Sequence, residues 1–133
     1  MIARKLIIFG LLFVLLSIVF GAMGAHYIEK IGVDSQGLKT FDTGVRYMFY
    51  NGIGMLVIAA LSDRFDFTLK SHYRAILWGT VFFSFSIFLL VLLPVMGVEL
   101  NKFIGPITPI GGLIMIFGWF SLLVKYIRAA DNS

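Results

Sequence analysis

Residues 6–26 read LIIFGLLFVLLSIVFGAMGAH, a run without a single charged side chain that ends on His26. A helix rises ~1.5 Å per residue, so about 20 such residues cross a ~30 Å hydrocarbon core. Arg4 and Lys5 stand just before the run, and Ala22-Met23-Gly24 near its end resembles a leader-cleavage site. The apolar stretch is longer than the ~7–15 residues of a secretory h-region, which favours a membrane helix over a leader.

Three more apolar runs follow, at about 45–61, 75–95 and 103–126, separated by short polar stretches. Helices joined by short loops lie antiparallel. The expected fold class is therefore an all-α integral membrane protein: a four-helix transmembrane bundle, up-down-up-down, forming one domain over residues 1–133. Composition points the same way, with 59% hydrophobic residues, 14% charged residues and a mean hydropathy of +0.96. A soluble domain carries roughly 25% charged residues. The chain has no cysteine, which excludes disulfides, thiolate nucleophiles and zinc–thiolate sites.

Lys and Arg set the orientation. Arg4, Lys5, Arg64, Lys70, Arg74, Lys125 and Arg128 fall on one side, against Lys30, Lys39, Arg46 and Lys102 on the other. The richer side is normally cytoplasmic, so both termini are expected inside, in a bacterial inner membrane. The net charge of +4 comes from these flanks and reads as contact with lipid headgroups. It is not a nucleic-acid footprint, since no basic stripe with interleaved aromatics accompanies it.

Helices in lipid gain little by burying apolar surface against one another, so small residues mark where they touch. The candidates are Gly21 and Gly24 in the first helix, Gly79, Ser84 and Ser86 in the third, and Gly111, Gly112 and Gly118 in the fourth. Phe82, Phe83, Phe85 and Phe88 go round helix three and read as lipid and neighbour contacts rather than a ligand box.

No Asp, Glu, Lys or Arg lies near the centre of any run, which argues against a proton-coupled antiporter or an ion pump. The polar groups that do enter the apolar zone gather towards the outer end: His26, Glu29, Asp42, Arg46 and Asn51, with Thr108-Pro109 opposite. Asp42 and Arg46 are four apart and can pair on one helix face, with Asp42 expected near the helix N-terminus. These groups form the candidate polar patch or ligand site; a self-paired structural cap is the competing reading. The two prolines of Gly105-Pro106-Ile107-Thr108-Pro109-Ile110-Gly111-Gly112 predict an irregular start or a kink in helix four. His26 and His72 belong to opposite membrane surfaces, so one chain does not bridge a haem iron with both. Ser84 and Ser86 have no histidine within expected reach. The sequence offers no catalytic residue, metal site or cofactor.

Gly21-Ala22-Met23-Gly24-Ala25-His26, Phe83-Ser84-Phe85-Ser86, Ile107-Thr108-Pro109-Ile110-Gly111-Gly112 and Gly118-Trp119 occur in this order along the chain. In these motifs the sequence resembles the YgdD/YwdK-type small bacterial membrane proteins, a family of unknown function. The resemblance covers nearly the whole chain. It implies four helices and an inner-membrane location, and leaves the activity open. Two departures stand out: Asn51 replaces a histidine usual in the family's second helix, and Phe85 replaces a glycine between the two serines.

Two functions are expected from different classes. One is a non-catalytic accessory subunit or assembly factor, in contact with membrane lipids and with a membrane-protein partner or a second copy of itself. The other is a binder or carrier of a lipid, quinone or other amphipathic molecule at the outer patch. A lipid-acting enzyme with His26 as general base is a distant third.

Overall fold

The computed structural model describes residues 1–133 and contains helices and turns but no strand. Four long helices make up the fold. α1 is Ile2–His26 and α2 is Ser35–Ala60. α3 runs over Lys70–Val95 and carries a π-helical stretch at Val81–Phe85. α4 spans Asn101–Asp131, where a short first segment, Asn101–Ile104, precedes the main helix Ile107–Asp131.

Local chemistry fixes the ends. Asp34 caps α2, its carboxylate accepting the Gly37 N–H at 2.7 Å, which satisfies one of the unpaired donors of the first turn. At the end of α3, Gly97 takes φ +80, and two bonds close the helix: Gly97 N–H to Pro94 O and Val98 N–H to Leu93 O. That pairing requires a left-handed residue, which glycine supplies without strain. Pro106 sits immediately before the main part of α4, where a missing N–H costs nothing. The irregular start expected from the two prolines is present, as a break at Gly105-Pro106.

α1, α3 and α4 are each long and apolar enough to cross a membrane. α2 is long enough but is not among them, because Arg46 and Asn51 dilute its apolar half. It also begins well before its apolar run, at Ser35 rather than near residue 45. This corrects the expected place of Asp42. It lies beyond the first turn, where the helix dipole no longer acts on it, and Asp34 holds the capping position instead.

α1 packs along α2, α3 along α4, and α2 against α3. Glycines set the approach. Gly10 meets Gly52 across α1 and α2, Gly44 meets Ile87 and Phe88 across α2 and α3, and Gly79, Gly111 and Gly118 lie against the backbone of the facing helix between α3 and α4. Gly111 contacts Phe82 and Phe83, inside the π-helical stretch. A π turn widens the helix locally, and a residue without Cβ accepts the bulge. Gly21 and Gly112 have ordinary van der Waals room, so their small size is not demanded by contact. Phe20, Phe41, Phe85 and Phe88 form one aromatic cluster joining α1, α2 and α3, whereas Phe82 faces outward.

Candidate functional site

A polar seam runs through the apolar interior where α2, α3 and α4 meet. Asn51 is 4% exposed, and each half of its amide is used. Nδ2 donates to the Tyr47 carbonyl one turn back (2.8 Å) and to the Met115 sulfur on α4. Oδ1 accepts from the Trp119 indole N–H at 2.7 Å. Thr80, fully buried, donates to the Ile76 carbonyl at 2.6 Å and lies 3.9 Å from the same sulfur. One turn towards the other end, Ser84 Oγ donates to the Gly44 carbonyl of α2 at 2.8 Å. Ser86 Oγ shares a hydrogen bond with Thr108 Oγ1 of α4 at 2.6 Å. The two serines of α3 therefore serve opposite neighbours. In an apolar surrounding an unpaired amide or hydroxyl is costly, and the seam leaves none of these groups unpaired.

The residues anticipated as one outer patch are divided by this arrangement. Asn51 and Thr108 belong to the seam. Arg46 pairs with Asp42 at 2.9 Å on the outward face of α2, with both side chains more than half exposed. Gly21 faces Val45 and Gly24 faces Phe41, so this ion pair stands level with the last turns of the α1 apolar run. His26, Glu29 and Pro109 are exposed, and neither His26 nor Glu29 joins the ion pair.

Beside the seam, α2 and α4 diverge around a cleft of about 470 Å³. Tyr47, Tyr50, Ile116, Trp119, Phe120 and Leu123 form its walls, and Asn51 is the one lining residue that is not hydrophobic. The polar face of the amide is already engaged by Trp119, so the cleft offers apolar surface above a saturated hydrogen bond.

A second polar site lies near the start of α3. His72 is 5% exposed, and its Nδ1 lies 2.7 Å from Ser121 Oγ. That hydroxyl is also 3.1 Å from the Gly118 carbonyl, and its single proton goes either there or to Nδ1 according to the imidazole tautomer. His72 Nε2 is buried with no partner. The sequence reading missed this pair, having tested Ser84 and Ser86 alone against the histidines. The antiparallel register of α3 and α4, with Gly79 against Met115 and Gly118 against Ile76, brings Ser121 beside His72. No group of three or more His, Asp or Glu side chains is placed to hold a metal ion.

The fold and these sites define a class: a small helical protein with membrane-capable helices, held together by a thin polar seam. Comparison with known proteins places it further. Residues 20–112 match the family model described as "Protein of unknown function (DUF423)". A UPF0382 membrane protein of Staphylococcus haemolyticus is 32% identical over 122 residues, covering 92% of this chain and 94% of that protein. The UPF0382 membrane protein YwdK of Bacillus subtilis is 30% identical over 127 residues, covering 94% and 98%. A UPF0382 membrane protein of Schizosaccharomyces pombe is 35% identical over 112 residues, covering 83% and 91%. No solved structure matches. The chain belongs to the DUF423 (UPF0382) family of membrane proteins, in agreement with the motif resemblance.

Proposed function

We propose that this chain crosses the membrane four times, with both termini in the cytoplasm, and works as a non-catalytic binder of a membrane amphiphile. The observation that carries the reading is the α2–α4 cleft. Its volume of about 470 Å³, its seven hydrophobic lining residues of eight and its single amide suit an apolar chain better than a polar metabolite. α2 qualifies as the fourth crossing because Asn51, its deepest polar group, is fully hydrogen-bonded, to Tyr47 within α2 and to Met115 and Trp119 of α4, and Arg46 is long enough to reach the headgroup level. The excess of Lys and Arg near both termini and at the α2–α3 end, where Arg64 in the loop is followed by Lys70 and Arg74 in the first turns of α3, supports the orientation. For a bacterial host this means the inner membrane, although the family also has its member in a yeast. Asn51 stands where the resembled family usually carries a histidine; its amide has no titratable proton and serves here as a hydrogen-bonding lock.

Native mass spectrometry of the protein, extracted mildly from its own membrane, tests the reading. The expected result is a small amphiphile that remains bound and is lost in Ile116→Trp, which fills the cleft. A bare chain would count against it.

A second reading, the accessory subunit or assembly factor, is favoured by one feature. The Asp42–Arg46 pair is exposed at a depth where α1 is apolar, and a partner helix would cover it. Recovery of a stoichiometric protein partner in the same spectra, abolished by Arg46→Leu, would favour this reading over the first.

A further inference from the structure

We infer that the pocket at the start of α3 and the end of α4 binds the phosphate headgroup of an anionic membrane lipid. The site shares only Phe120 with the lining of the α2–α4 cleft, and its cations and His72 lie outside that cleft. It has a volume of about 550 Å³, and its lining holds two cations, Lys125 and Arg128, and no carboxylate. The helix dipoles at this end oppose each other, since α3 begins here and α4 ends here, which leaves the side-chain charges to decide.

Three observations make this a ligand site rather than a basic surface. The first is His72, nine-tenths and more buried in the lining, with Nδ1 committed to Ser121 and Nε2 without a partner. A buried ring nitrogen left unbonded is costly, and a headgroup oxygen, or a water bridging to one, would satisfy it. The second is Phe67. Its ring meets the His72 ring edge-on with centroids 5.9 Å apart, and the Lys125 ammonium lies 5.5 Å from the Phe67 ring centre. Phe67 thus packs against both His72 and Lys125 and ties the buried imidazole to the cation in one lining. The third is the wall. Phe117 and Phe120 continue the pocket from the cations into the outward apolar face of α4, and Phe120 also borders the α2–α4 cleft. Charge at the end of a helix and an apolar strip running inward from it match a phosphodiester with its acyl chains, and a free phosphate would make no use of the strip. Basic pockets between helices at the membrane surface recognise lipid headgroups in this manner.

The chain has only two histidines, His26 and His72, so selective isotope labelling gives one NMR signal set for the pocket and one for a control far from it. The purified protein in a neutral detergent would be titrated with dioctanoyl phosphatidylglycerol, dioctanoyl phosphatidylcholine and inorganic phosphate. Expected is a saturable shift of His72 alone with phosphatidylglycerol, whose half-saturation rises about thirtyfold in K125Q/R128Q, or roughly fivefold for each charge removed. Both substituted side chains are exposed, and unchanged helical circular dichroism would show that the fold is kept. Equal binding of phosphatidylcholine, an undiminished response in K125Q/R128Q, or no shift of His72 would overturn the proposal. The same shift with inorganic phosphate alone would assign the site to a free anion and overturn its lipid reading. The His72 shift should persist in Ile116→Trp, which fills the α2–α4 cleft from a position outside the pocket lining, so the two proposals fail separately.

Discussion

Two adjacent glycines in α4 should respond oppositely to the same substitution. A Cβ on Gly111 would point into the π-helical stretch of α3, with Phe83 N its nearest neighbour, the Phe82 carbonyl carbon 2.8 Å away and Phe82 Cβ 2.9 Å away. Ordinary carbon contacts lie at ~3.5–4.0 Å, so Gly111→Ala must push α3 and α4 apart by about 1 Å. Two of the atoms it meets are backbone, which has no rotamer to yield. A gap of 0.5–1 Å forfeits about a quarter to a half of each neighbouring dispersion contact, and Gly79 and Gly118 share this interface. The expected cost is ~2–3 kcal/mol, in the range of overpacked cores. On Gly112 the Cβ would meet only the Phe83 ring, at 3.5 and 3.7 Å, which is normal contact. Gly112→Ala should be neutral or gain up to about 1 kcal/mol from helix propensity. Reversible unfolding in mixed micelles, followed by helical circular dichroism against SDS mole fraction, measures both. A Gly111→Ala protein within about 0.5 kcal/mol of wild type would refute the argument from backbone contact. Equal losses from the two substitutions would refute it as well.

Asn51→Ala removes a bond to Trp119 and another to Met115 and leaves the indole N–H unpaired; a loss of about 1–2 kcal/mol is expected, with a shift in Trp119 emission. In Ser84→Ala the Gly44 carbonyl loses its extra donor but keeps its place in α2, so the loss should stay near ~0.6 kcal/mol in the same unfolding assay. With the Arg46 head at the hydrated headgroup level, Arg46→Ala should change stability by no more than about 0.5 kcal/mol, because an exposed hydrated pair is worth little. A much larger loss would show that the pair is covered by something other than solvent.

Legibility in the sequence followed how local each signal is. The runs that became α1, α3 and α4 were readable because a span of apolar residues needs no partner to be recognised. The break before α4 was readable because proline acts on its own backbone. α2 was read short: Lys39, Asp42 and Thr43 are polar, yet they continue the helix from the Asp34 cap, and hydropathy does not distinguish a polar helical turn from a loop. The contact role of Gly79, Gly111 and Gly118 was anticipated from residue size, but size alone could not separate Gly111 from Gly112. That distinction depends on the π stretch at Val81–Phe85, for which no sequence rule was applied. The polar groups were visible one by one, but their partners were not. Asn51 to Trp119 and His72 to Ser121 are contacts across helices, set by register and rotation.

Whether α2 crosses the membrane decides the topology, since its composition alone does not require a crossing. The chain has no native cysteine, so single cysteines at Lys30, Asp63, Glu99 and Ser133 can be labelled cleanly with a membrane-impermeant maleimide, in intact spheroplasts and in inverted vesicles. Four crossings with both termini inside predict labelling of Lys30→Cys and Glu99→Cys from the outside only, and of Asp63→Cys and Ser133→Cys in inverted vesicles only. If Asp63→Cys were labelled from the same side as Lys30→Cys, α2 would not cross, and the four-helix topology would be contradicted.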